Sequence, residues 1–159
     1  WARCGRTVGG GRPGPTRGDG ADLTDLVRRD GGARRALGHV TGGGRAASLA
    51  RVLPKSAFAR VDRSTWTPPA VFGVVQELGQ GPVSDLERTL NMGIGFVAVL
   101  PAAQADLAIA TSKAQGIKAW LLGEVSDLTT APIQVVVEVI RDVKGVDGGS
   151  VQVVGTHPR

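Results

Sequence analysis

Residues 39–54 read HVTGGGRAASLARVLP, three consecutive glycines set between an apolar segment and a helical pattern. Gly42, Gly43 and Gly44 leave the backbone free to take positive φ and remove the Cβ that would keep a ligand away from the amides. Behind them Leu49, Val52 and Leu53 recur at helical spacing, and Pro54 ends the run. A helix starting near Arg45 aims its unpaired amides and the positive end of its dipole at the glycine turn, an arrangement that favours a phosphate. His39 and Thr41 flank that spot. On spacing alone the triple glycine also reads as a plain turn, and His39 as a hydrogen-bonded structural residue; both readings stay open here.

Outward from this stretch the chain alternates between two periods. Residues 21–29 carry Leu23, Leu26 and Val27 on one helix face, and Gly31 and Gly32 end it. A short extended segment through Ala36, Leu37 and Val40 delivers His39 to the turn. Residues 57–62 predict a strand and 68–78 a helix with Val71, Phe72, Val75 and Leu78 inward, with Trp66 packed between them. Ser84 and Glu87 have capping-box spacing, which predicts a short helix over 85–90. In the following Asn91–Met92–Gly93–Ile94–Gly95, the two glycines suggest that a backbone or ligand comes close. Residues 96–100, 102–115 and 117–122 form a β-α-β succession. The valine-rich segments 132–140 and 150–154 predict paired strands joined through 144–149. Helices and strands alternating over short links imply an α/β or α+β fold, a mixed sheet covered by helices.

With 159 residues the chain holds one sizeable core and no second full domain. Glycine supplies 24 residues and Tyr none, so the core must be aliphatic. Residues 1–20, rich in Gly, Arg and Pro, follow neither period and read as a poorly packed arm ahead of a domain over 21–159. The net charge of +5 is concentrated there: residues 1–60 hold 12 Lys/Arg against 4 Asp/Glu, and 61–159 hold 7 against 10. A nucleic-acid surface would call for aromatic platforms among those arginines, and only Trp1 and Phe58 are present. A phosphorylated small molecule uses the same field with fewer assumptions. Cys4 is the lone cysteine, which excludes an internal disulfide and a cysteine zinc site and fits a reducing cytoplasm; no metal site is expected. The longest apolar run, 96–100, is too short to span a membrane.

HVTGGG, RVLP, TPPAVF, NMGIGF and LLGEV, in that order, resemble the C-terminal half of the AIR synthetase family, the phosphoribosylformylglycinamidine cyclo-ligases. GSVQVVGTHP resembles the family's terminal strand. The resemblance implies a three-layer, partly ferredoxin-like domain and an ATP-dependent ring closure that makes aminoimidazole ribonucleotide from formylglycinamidine ribonucleotide. It assigns a catalytic hydrogen bond or proton to His39, and contacts to the phosphorylated substrate to Thr41, Gly42, Gly43, Gly44, Ser48, Asn91, Gly93 and Gly95. ATP and Mg2+ would be held by the family's N-terminal half, which nothing here resembles and which forms most of a homodimer in the full enzyme; the chain looks like a fragment, inactive alone. Departures are visible. Ser48 replaces the usual Asn, and Arg45, read as pointing to water, replaces an apolar residue. Gly10, Gly11, Arg12, Pro13 and Gly14 stand at acidic and leucine positions, and residues 126–146 are longer than the family needs. The corresponding domain of selenophosphate synthetase or a hydrogenase maturation factor fits PPAVF and NMGIG less well. A non-catalytic remnant or interaction module is the alternative from another class.

Overall fold

The structure, a computed structural model, describes residues 5–11, 36–40, 44–131, 139–141 and 148–158. Seven strands form one mixed sheet: β1 (Gly5–Gly11), β2 (Ala36–His39), β3 (Ala57–Asp62), β4 (Phe96–Pro101), β5 (Lys118–Asp127), β6 (Val139–Arg141) and β7 (Ser150–Val154), in the order β2-β4-β1-β5-β3-β7-β6. Among the described residues four α-helices accompany them: α1 (Gly44–Val52), α2 (Ala70–Gly79), α3 (Val83–Thr89) and α4 (Ala105–Ala114). β1 is antiparallel to both β4 and β5, so those two run the same way with β1 between them, a split β-α-β unit closed by α4. β3 pairs parallel with β7, and β6 pairs antiparallel on its outer side.

Alternation sorts the side chains into two faces. Val97, Val99, Ala59, Val61, Val151 and Val153 turn to α1, where Leu49, Ala50 and Leu53 meet them to make the main core. Ala98, Leu100 and Ala119 turn the other way and pack with Ala105, Ala108 and Ile109 of α4. Helix, sheet and helix form three layers, the α+β architecture expected. In β5 the alternation breaks near Gly123, where the register with β1 shifts between Thr7 and Val8. Beyond that bulge Val125 returns to the main core. The far end of α1 is closed from the C-terminal segment, because the Gly149 N–H donates to the Ala50 and Leu53 carbonyls at 3.0 and 2.9 Å.

Three expectations need correction. Residues 5–11, assigned to a poorly packed arm, form β1, an interior strand with six paired positions on β4 and seven on β5. Strand pairing is made by backbone groups, so a glycine-rich segment without alternation can still fill a gap between two strands. The capping box does not form: α3 begins after Pro82 with no side-chain cap, and Glu87 turns inward. Helix α2 exists, but Val71, Val75 and Leu78 are 58%, 41% and 82% exposed rather than inward. The predicted helix over 21–29 lies outside the described residues, as do most of the 126–146 region and the rest of the arm.

Candidate functional site

Among the described residues strand β2 lies at the edge of the sheet and pairs with β4, and its register sets His39 opposite Phe96. The imidazole is exposed and stacks on the Phe96 ring, with centroids 4.6 Å apart and planes inclined by 18°. That contact holds the ring's orientation while leaving its edge to solvent. One residue on, the Val40 N–H donates to the Gly95 carbonyl at 2.9 Å, which ties the NMGIG block to the end of β2, 55 residues away in sequence. Helix α1 then begins at Gly44, which takes φ +73°. A Cβ there would run into the Glu87 carbonyl and sit 3.1 Å from Arg88 Cα, so only glycine lets α3 approach this close. Thr41, Gly42 and Gly43 lie outside the described residues.

The Asn91–Gly95 segment is shaped by its own turn. Asn91 Oδ1 accepts from the Gly93 N–H at 3.0 Å, and Gly93 takes φ +88° with Pro69 so close that an added Cβ would lie 2.5 Å from Pro69 Cδ. Asn91 and Gly93 therefore act within the loop, which brings Gly95 to Val40. Ser48 is buried on α1 and faces the interior rather than sharing the exposed end with His39. Of the site residues proposed from the sequence, the structure gathers His39, Gly44 and Gly95 at one end of the sheet, with Asn91 and Gly93 supporting them from the adjoining turn.

Beneath the start of α1 lies a cluster the sequence reading missed. Arg45, expected in water, is 2% exposed. Its Nη2 donates to Glu87 Oε1 at 2.6 Å, and its guanidinium lies 4.9 Å from the centre of the Trp66 ring. Its Nε and Nη1 are buried with no hydrogen-bond partner among the described residues, and the indole π-face is the guanidinium's other neighbour of favourable charge. Arg63 holds the same carboxylate through Nε–H to Oε1 at 2.8 Å and Nη2 to Oε2 at 2.6 Å. His157 Nε2 stands 3.0 Å from Oε1, while Nδ1 faces the Arg63 and Trp66 carbonyls at 3.2 and 3.3 Å. Burial by itself would raise the Glu87 carboxyl; the bonds from Arg63 and His157 and the charge of Arg45 outweigh it and hold the group well below the usual carboxylate range. Burial lowers Arg45, and Glu87 opposes that shift. Two guanidiniums against one carboxylate leave positive charge in excess at the same end of α1 as its dipole's positive pole. These partners are 24 to 70 residues from Glu87 in sequence, so no local pattern announces them.

Among the described residues no three His, Cys, Asp or Glu side chains come together to hold a metal ion, and no helix is long and apolar enough to cross a membrane. Residues 21–135 match the family described as AIR synthase related protein, C-terminal domain. The chain belongs to that family. It is 46% identical over 123 residues to a protein of Streptomyces fradiae named as a phosphoribosylformylglycinamidine cyclo-ligase, covering 77% of this chain and 66% of that one. A phosphoribosylformylglycinamidine cyclo-ligase of Sorangium cellulosum is 41% identical over 133 residues, covering 84% of this chain and 38% of the relative. One from Synechococcus is 40% identical over 109 residues, covering 69% and 32%. This AIR synthase related domain thus spans only part of each of these relatives.

Proposed function

We propose that this domain is the C-terminal part of a phosphoribosylformylglycinamidine cyclo-ligase and supplies the substrate side of its ring closure, inactive until an ATP-binding half completes the site. The observation that carries the reading is the convergence of two distant blocks, in which the Val40–Gly95 hydrogen bond sets His39 beside the start of α1. In this reading the amides of Gly42, Gly43 and Gly44 and the Thr41 hydroxyl hold the phosphate of formylglycinamidine ribonucleotide. His39 donates a hydrogen bond or proton near the reacting amide. Ser48 and Asn91 act from behind, keeping α1 and the Gly93–Gly95 turn in position.

The reaction activates the amide oxygen with ATP and closes the imidazole ring from an internal nitrogen, releasing ADP and phosphate. In this reading magnesium and ATP are held by the portion that the relatives carry beyond this chain, and the steps assigned here are binding, orientation and proton transfer. The test is calorimetric titration of the folded chain with formylglycinamidine ribonucleotide. Gly43→Asp puts a negative charge into the anion site and is expected to abolish binding. His39→Ala is expected to weaken it about tenfold, the loss of one hydrogen bond. Binding indifferent to Gly43→Asp sinks the reading and favours a non-catalytic remnant, to which the departures at Arg45 and Ser48 also point.

A further inference from the structure

Helix α2 carries Val71, Val74, Val75 and Leu78 at i, i+3, i+4 and i+7, the stripe by which a helix normally packs on its core. Here the stripe faces out. The four residues are 58%, 52%, 41% and 82% exposed, no residue of α2 is buried, and Val83 at the start of α3 adds another apolar surface at 39%. Glu77 is the only charged residue on the helix, so the surface suits an apolar counterpart and not a charged one.

We propose that this face is a docking surface for the portion of the longer cyclo-ligase polypeptide that lies outside this chain, a deepening that rests on the function proposed above. Three observations choose that occupant. A ten-residue helix is only ~15 Å long, and a stripe of that length falls short of the ~1,200 Å2 that a stable complex of two separate chains buries. Contacts between domains of one polypeptide are stable at smaller areas, because the partner is held at high effective concentration. The Sorangium and Synechococcus relatives, covered to 38% and 32%, carry enough additional chain for such a domain. Finally, α2 is continuous with the candidate site: Pro69 at its start lies against Gly93, and the turn containing Gly93 reaches Val40 through Gly95. A domain seated on α2 would thus be linked through the Gly93–Gly95 turn to the end of β2 that carries His39.

The experiment joins this chain to the remaining portion of the Sorangium cellulosum enzyme in one polypeptide and follows amide exchange. The expected result is that α2 amides exchange at least tenfold more slowly than in the chain alone, and that the double variant Val74→Glu, Leu78→Glu removes this protection. The variant chain should melt at the wild-type temperature, and Leu107→Glu, at an exposed leucine of α4, should leave the protection intact. Unchanged exchange, protection indifferent to the double variant, or a homodimer of this chain that the double variant dissolves would each overturn the proposal. Protection without ring closure sinks the catalytic reading and leaves the surface; ring closure untouched by the double variant sinks the surface and leaves the reading.

Discussion

Removing the Glu87 carboxylate leaves Arg45 buried against Trp66 with no anion beside it. Glu87→Ala should therefore cost about 3 kcal/mol in a denaturant titration, at the lower end for breaking a buried pair. Replacing the whole cluster with apolar residues should cost much less. The pH dependence follows from the same site. Because the folded carboxyl lies below its ordinary value, its stabilisation is fully present above about pH 4.3, the unfolded value, and is lost as pH falls toward the folded one. Unfolding free energy should decline as pH drops below about 4, and Glu87→Gln should flatten that decline. Gly93→Ala combines a φ of +88° with a collision against Pro69 and should destabilise by about 2 kcal/mol, read in the same titration. At this scale Gly44 and Gly93 were legible in the sequence because positive φ and close approach demand glycine. Arg45 was not, since an arginine following three glycines looks like a surface residue until its partners are known.

At the scale of elements, α2 separates pattern from environment. Its periodicity predicted a helix correctly, yet the same periodicity predicted burial, and Leu78 is 82% exposed. Leu78→Glu should shift stability by less than about 0.5 kcal/mol, as an exposed site does. Leu122→Ala, in the main core, should cost about 2–5 kcal/mol. Comparing the two melts checks the assignment directly. Helical period reports that one face is apolar, not what covers it. α3 makes the matching point for capping: Ser84 and Glu87 have the right spacing, but two guanidiniums and an imidazole from outside the helix claim the carboxylate.

For the molecule as a whole, β1 is the strand that joins the two halves of the sheet. A proline at Val8 removes a backbone donor between β4 and β5, and Val8→Pro should cost about 3 kcal/mol or abolish folding, measured by circular dichroism. Local patterns determined a good deal of this protein: the aliphatic strands, the helix behind the glycines, the mixed α and β class, and the blocks that identify the family. Such features depend on neighbours within a few residues, whose spacing the chain itself carries. Tertiary structure decided the rest: that a glycine-rich segment is an interior strand, that Glu87 gathers Arg45, Arg63 and His157, and that the apolar stripe of α2 faces outward. Each of these depends on groups far apart in sequence, where backbone pairing, desolvated charge and the presence or absence of a covering surface outweigh local preference.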